Sequence, residues 1–138
     1  MRLELPWPPS VNHYWRYVVR GKRIVVHISK EGQSYRRNVE AALFGNKIDT
    51  FEGPLRITIV LRPPDRRRRD LDNCLKALLD AMEHCRVFLN DSQVWQLSIA
   101  WDLGETGRII VQSNGLAVVT IEPLELAPTL FDQNEMNP

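Results

Sequence analysis

Residues 63–91 read P-P-D-R-R-R-R-D-L-D-N-C-L-K-A-L-L-D-A-M-E-H-C-R-V-F-L-N-D. From Leu71 onward the apolar positions Leu71, Cys74, Leu75, Leu78, Leu79, Met82 and Cys85 recur at helical spacing. At about 100° per residue they fill an arc roughly 140° wide, the pattern of a helix laid on a core. The spacing therefore predicts a helix over 71–86. Asp72 and Lys76, at i and i+4, are expected side by side on the flank of its apolar stripe. Asp70 obeys another constraint. Residues at i and i+2 of one helix point about 200° apart, so Asp70 can converge with Asp72 only from outside the helix, in the extended conformation of an N-cap. Pro63-Pro64 stops the strand before it, which assigns Asp70 to the strand-to-helix loop and Asp72 to the first turn.

Taken alone, this D-x-D has two readings. One is a helix cap beside a surface ion pair of little energetic weight. The other is a set of hard oxygen ligands beside a lysine, with Asp91 as a third carboxylate in the Leu-Asn-Asp turn that follows. Such a set suits a Mg²⁺ ion acting on phosphodiesters. Four consecutive arginines, Arg66, Arg67, Arg68 and Arg69, would draw a phosphate backbone in and offset its repulsion from the carboxylates.

Working outward, 55–61 alternates Leu-Arg-Ile-Thr-Ile-Val-Leu and reads as a central strand. Ser29 is placed as the N-cap of a helix reaching Asn46, with Tyr35, Val39, Ala42 and Leu43 inward and Arg36 and Arg37 outward. Before it, strands at 14–19 and 24–28 flank Arg20-Gly21-Lys22-Arg23, a hairpin with three cations at its tip. A short strand at 2–5 runs into Pro6-Trp7-Pro8-Pro9, and 10–15 is read as a polar-aromatic loop holding Asn12, His13, Tyr14 and Trp15. Its rings either stack on bases or plug the sheet. Downstream, 94–101 reads as a strand, 108–111 as a further one, and Asn114-Gly115 as a hairpin turn before 116–121. The domain is expected to span 1–122, with 123–138 an acidic, flexible tail carrying Leu126, Leu130 and Phe131.

The formal net charge of +1 hides a segregation. Residues 1–76 hold 16 of the 18 Lys and Arg against eight acids, a balance of +8, and the remainder stands at −7. A basic half points to a polyanionic partner. Cys74 and Cys85 fall eleven residues apart on one helix, about 16 Å and beyond disulfide reach, so they are expected as core thiols. A zinc site through His84 is disfavoured because that ring falls on the polar face, and His13 and His27 have no ligand spacing. No apolar run approaches 18 residues, and Met1 opens straight into a strand pattern. A cytoplasmic protein without a membrane partner is expected.

The block P-D-R-R-R-R-D-L-D-N, then Lys76, then Leu-Asn-Asp-Ser-Gln-Val, resembles the RusA family of Holliday junction resolvases. So do the opening L-P-W-P-P-S-V-N, Val26-His27-Ile28-Ser29, Glu31-Gly32-Gln33 and Tyr35-Arg36, so that the resemblance runs nearly continuously over 3–94. It implies a crossover junction endodeoxyribonuclease, encoded by a bacterium or phage, that cuts four-way junctions symmetrically as a homodimer. It further implies that Asp70, Asp72 and Asp91 bind the divalent metal, Mg²⁺ with Mn²⁺ as a substitute, and that Lys76 is required for cleavage. Asn90 stands where some members carry a second aspartate, and the chain beyond Trp101 is longer than the family pattern leads one to expect.

The expected fold is α+β, a mixed β-sheet with two main helices packed on it, in a homodimer. Its order is strand, hairpin, helix, strand, helix, then two or three strands. The expected activity is Mg²⁺-dependent resolution of Holliday junctions in recombination and repair, with no small-molecule cofactor. Arg66, Arg67, Arg68, Arg69, Asn12, Arg20, Lys22 and Arg23 are the candidate DNA contacts. A protein that binds branched DNA without cutting it is the alternative. A D-x-D nucleotide-sugar transferase lacks the length for a donor-binding domain.

Overall fold

The computed structural model describes residues 1–127. Its organising strand is β4 (Leu55–Arg62), in which Leu55, Ile57, Ile59 and Leu61 are fully buried while the residues between them stay partly or wholly exposed. Burying each such side chain contributes about 2 kcal/mol, enough to fix the register of the sheet. Strand β4 pairs antiparallel with β6 (Leu116–Pro123) and parallel with β5 (Val94–Trp101), and β1 (Arg2–Leu5) completes the order β1-β6-β4-β5. The register aligns Leu3 and Leu5 with Val119 and Ala117, and these with Ile59 and Leu61, so one face of the sheet is continuously apolar.

Two helices cover that face. Helix α2 (Lys30–Leu43) buries Tyr35, Val39 and Leu43, and α3 (Leu75–His84) buries Ala77, Leu78, Ala81 and Met82. The other face carries Arg56, Thr58 and Arg62. Arg56 donates to Gln96 at 2.7 Å, and Arg62 to Asp102 at 2.6 Å and Gln112 at 3.1 Å. The α+β class with a mixed sheet is as the sequence predicts, with a third helix besides the two main ones: the segment read as a loop over 10–15 contains a helical turn, α1 (Val11–Tyr14). The predicted hairpin forms as β2 (Trp15–Arg20) and β3 (Arg23–Ile28), a separate two-stranded ribbon with Gly21 at φ 63° in its two-residue turn. Glycine at the first turn position suits the twist of such a ribbon.

A partly buried polar cluster ties the helices together. Tyr14, fully buried, donates its hydroxyl to Asp80 on α3. Arg36 on α2 donates to the same carboxylate oxygen at 3.0 and 2.7 Å and to the Tyr14 oxygen at 3.2 Å. Burial, reinforced by Asp80, pushes the Tyr14 phenol well above its ordinary range. Arg36, expected on the outer face, is therefore half-buried and paired, and Ala42, expected inward, is exposed. Ser29 caps α2 by accepting from the Gly32 N–H at 3.0 Å, and its own hydroxyl donates to the His13 carbonyl.

The expected strand over 108–111 does not form, and one bridge, Leu103 to Ile109, takes its place. The reason is that this segment spends its donors on the end of β4 and β5. The Ile110 N–H bonds to the Asp102 carbonyl at 2.8 Å, and the Gln112 N–H to the Pro63 carbonyl at 3.0 Å. Asn114 and Gly115 do turn the chain with φ of 66° and 70°, directly into β6. Strand β6 runs through Pro123 and Leu124 bonds back to Pro54 at 2.9 Å, whereas Leu130 and Phe131 lie outside the described residues. Cys74 and Cys85 are free, Cys74 buried and Cys85 half-buried, and burial pushes the Cys74 thiol up to about 11. Among the described residues no helix is long and apolar enough to cross a membrane.

Gly32 is where α2 meets α1, since a Cβ there would stand 2.5 Å from Ile28 Cγ2 and 2.9 Å from the Tyr14 carbonyl oxygen. Gly32→Ala should cost about 1–3 kcal/mol of stability in urea denaturation, the usual penalty for overpacking against backbone. An unchanged midpoint would show that α1 is not held this tightly.

Candidate active site

Leaving β4, the chain passes Pro63-Pro64 and the arginine run and reaches Asp70 with φ −98° and ψ 136°. This is the extended conformation that convergence of Asp70 with Asp72 requires. The Asp70 carboxylate makes no capping hydrogen bond, and no ion pair among the described residues involves Asp70 or Asp72. Both side chains are exposed. Thus the cap position is occupied by a carboxylate that does not cap.

The first turn differs from expectation. Residues Leu71–Cys74 form a 3₁₀ turn, and α3 proper begins at Leu75 and ends at His84 rather than 86. Among the described residues no ion pair joins Asp72 to Lys76. Lys76 turns to Asp91, with Nζ 3.3 Å from Oδ2. The turn Asp91–Gln93 is locked by Asn90, whose side chain accepts from the Ser92 N–H at 2.8 Å while Gln93 Oε1 accepts from the Asn90 N–H at 2.9 Å. Asn90 is therefore a capping residue that fixes Asp91. The Asp91 N–H also donates to Glu83 Oε2 at 3.2 Å.

The structure thus joins Lys76 with Asp91, and separately sets Asp70 two residues from Asp72. Strands β4 and β5 run parallel, so the loop leaving β4 and the turn entering β5 start from opposite ends of the pair. Among the described residues no three His, Cys, Asp or Glu side chains stand close enough together to hold a metal ion. In kind, the donors are carboxylate oxygens suited to a hard divalent cation. Mg²⁺ commonly takes one or two protein carboxylates and completes its shell with phosphate and water. Asp70 and Asp72 supply two such carboxylates, both exposed.

The arginine run is not uniform. Asp65 binds Arg69 at 2.7 Å and Arg67 at 2.9 Å, and these contacts, Arg69 first, hold its carboxyl well below the ordinary value. Arg69 is mostly covered and lies 5.8 Å over the Trp7 ring, which itself stacks on Trp101 at 6.3 Å. No ion pair among the described residues involves Arg66 or Arg68, both exposed. Asn12 is exposed on α1, which packs beside the 3₁₀ turn, while Arg20, Lys22 and Arg23 stand exposed at the far tip of the ribbon. Asp65 was overlooked in the sequence although its spacing to Arg67 and Arg69 is local. The Tyr14–Arg36–Asp80 cluster has no local signal at all.

The described surface also exposes apolar side chains. On the ribbon the cross-strand pairs Tyr17–Val26 and Val19–Ile24 share one face, and all four side chains are at least half exposed. On β5, Trp95 and Leu97 are exposed, whereas Trp101 is withdrawn into its stack on Trp7.

The family described as Endodeoxyribonuclease RusA matches residues 6–113. A protein of Enterobacteria phage 82 called crossover junction endodeoxyribonuclease rusA is 47% identical over 93 residues, covering 67% of this chain and 74% of that relative. Its counterpart in Escherichia coli K12 is 45% identical over the same shares of both chains. One from Enterobacteria phage HK97 is 46% identical over 90 residues, 64% of this chain and 72% of its own. The matched span contains Asp70, Asp72, Lys76 and Asp91 together with the helices that carry them, and the chain belongs to the RusA endodeoxyribonuclease family.

Proposed function

We propose that this protein is a Mg²⁺-dependent endonuclease that resolves four-way DNA junctions by paired, symmetric strand cleavage. The observation that carries the reading is the uncapped Asp70 carboxylate, extended and exposed at the head of α3 two residues from Asp72. Its relatives bear the name crossover junction endodeoxyribonuclease. A protein that only bound branched DNA would gain nothing from two unpaired carboxylates next to a phosphate-attracting arginine run. The sources of the relatives, enteric bacteria and their phages, suit action on DNA in the bacterial cytoplasm.

Asp70 and Asp72 would hold Mg²⁺, which when bound polarises a phosphate oxygen and lowers the pKa of water toward neutrality, while Asp91, the third carboxylate of the expected set, is held by Lys76. The remaining work falls to the chain. Arg66 and Arg68 draw in the phosphate backbone, and the Asp65 clamp on Arg67 and Arg69 holds the loop that presents them. Lys76 stabilises negative charge developing on the phosphorane or on the leaving 3′ oxygen. Its pair with Asp91 is about half exposed on both sides, so it contributes at most about 1 kcal/mol and yields readily to a substrate phosphate.

Resolution requires cuts in two strands related by a two-fold axis, and one chain carries one such site. A C2 homodimer matches the substrate's pseudo-symmetry. The uncovered apolar side chains of the ribbon, with Trp95 and Leu97, are the surface from which its contact would be drawn.

Asp70→Asn should abolish junction cleavage while leaving junction affinity intact or higher, because repulsion of phosphate falls. Normal cleavage by the pure variant would remove Asp70 from the metal site. For the arginines, replacing Arg66 and Arg68 by Gln should flatten log K against log salt by up to about 0.9 for each. Arg67→Gln should change that slope less, since its contact with Asp65 already offsets part of its charge. Equal slopes for all three variants would contradict this division. In mixed dimers of wild-type and Asp70→Asn chains, junctions should be nicked on one strand and seldom resolved, as read on denaturing and native gels. Full resolution without subunit exchange would mean that one site cuts both strands.

A further inference from the structure

A cleft of about 620 Å³ opens beside Asp70, within the size range of sites that take a small ligand. Trp7 and Tyr35 give it apolar walls. Trp7 is set in place by its stack on Trp101 and by Gly115, where a Cβ would lie 2.7 Å from the Trp7 Cβ. The Tyr35 hydroxyl is already committed to the Pro6 carbonyl at 3.1 Å, so this wall offers its ring rather than its oxygen. The polar lining includes Arg68 and Arg69 from the arginine run, Glu31 and Asn38 from α2 and Asn73 from the 3₁₀ turn. Asn73 is the residue directly after Asp72.

We infer, resting on the junction-nuclease reading, that this cleft receives an unstacked base of a nucleotide flanking the scissile phosphate. Glu31, Asn38 and Asn73 then set the base preference of cleavage. The lining chemistry suits a whole nucleotide rather than a bare phosphate. Arg68 and Arg69 in the lining attract its phosphate, whereas Glu31 accepts a hydrogen bond from an exocyclic amino group, and a carboxamide offers a donor and an acceptor together, as a base edge demands. The position follows from Asp70 and Asn73, which put the cleft within about one nucleotide of a phosphate held at the carboxylates. The cleft also has a consequence for branch selectivity. Extruding a base from an intact duplex costs its stacking and pairing, and that cost is least where pairing is already open, as at a branch point. A nucleotide in unbroken duplex is kept from the cleft, so base choice and branch choice are made by the same event.

The test uses the full chain on four-way junctions that differ only in the base pairs flanking the cut, with single-turnover rates measured in Mg²⁺. Wild type should favour one base. Glu31→Gln, Asn38→Ala or Asn73→Ala should reduce the ratio of best to worst rate by roughly tenfold, the scale of one lost base-edge contact. Melting temperature should stay unchanged. A second readout needs no cutting: in the Asp70→Asn chain, 2-aminopurine beside the cut should brighten on binding as it leaves the stack, and adding Glu31→Gln and Asn38→Ala should suppress the rise. An undiminished base ratio in all three variants, or an aminopurine rise that survives them, overturns the cleft assignment. So does equal cutting at every flanking base by wild type. A wild-type chain that cuts no junction at all fails instead at the nuclease reading beneath it.

Discussion

Strand β4 is paired on both edges, and its partner β5 runs parallel to it. A parallel neighbour cannot be reached by a tight turn, so the chain must leave the end of β4, cross the apolar face as a helix, and return to start β5. Every candidate catalytic group lies on that crossing. Asp70 stands where the loop becomes helix, Lys76 on the helix, and Asp91 where the helix hands over to the strand. The fully buried side chains of β4 and the small and apolar face of α3 hold the crossing rigid. A carboxylate at its head is thereby positioned by the hydrophobic core rather than by its own polar contacts, which leaves its oxygens available for a ligand.

Electrostatics refine that frame. The basic balance of residues 1–76 is not presented as a uniform field. Arg36 is paired with Asp80, and Arg67 and Arg69 share the single carboxylate of Asp65, while Arg69 also seats Trp7 at the rim of the cleft beside Asp70. Part of the positive charge therefore shapes the protein and part meets solvent at Arg66, Arg68 and the ribbon tip. Asp65 has a folded-state value held below its unfolded one. Its contribution to loop order is present above the unfolded carboxylate range and is lost as pH falls through the folded value.

Much of this was legible beforehand because it follows from local rules. The alternation of 55–61, the Ser29 cap, the glycine hairpin and the extended Asp70 all rest on neighbours a few residues away, and all four stand in the structure. The resemblance over 3–94 is borne out by the family match to residues 6–113. What escaped is long-range or depends on a subtle local choice. The Tyr14–Arg36–Asp80 cluster joins three helices, and the cleft joins Trp7, α2 and the 3₁₀ turn across the fold. Lys76 pairs with Asp91 rather than Asp72, a contact that hydrophobic periodicity cannot register. The segment over 108–111 reads as a strand but finds its partners at the end of β4 and β5.

The central claim is that the crossing from Pro63 to Asp91 cuts branched DNA with the help of a divalent cation. Its most direct measurement is a labelled four-way junction incubated with the protein in Mg²⁺ or in EDTA, with duplex, fork and single strand alongside. The account predicts paired incisions in opposed strands of the junction in Mg²⁺, binding without incision in EDTA, and uncut controls. Binding without cleavage at any Mg²⁺ concentration, or cleavage undiminished by EDTA, would contradict it.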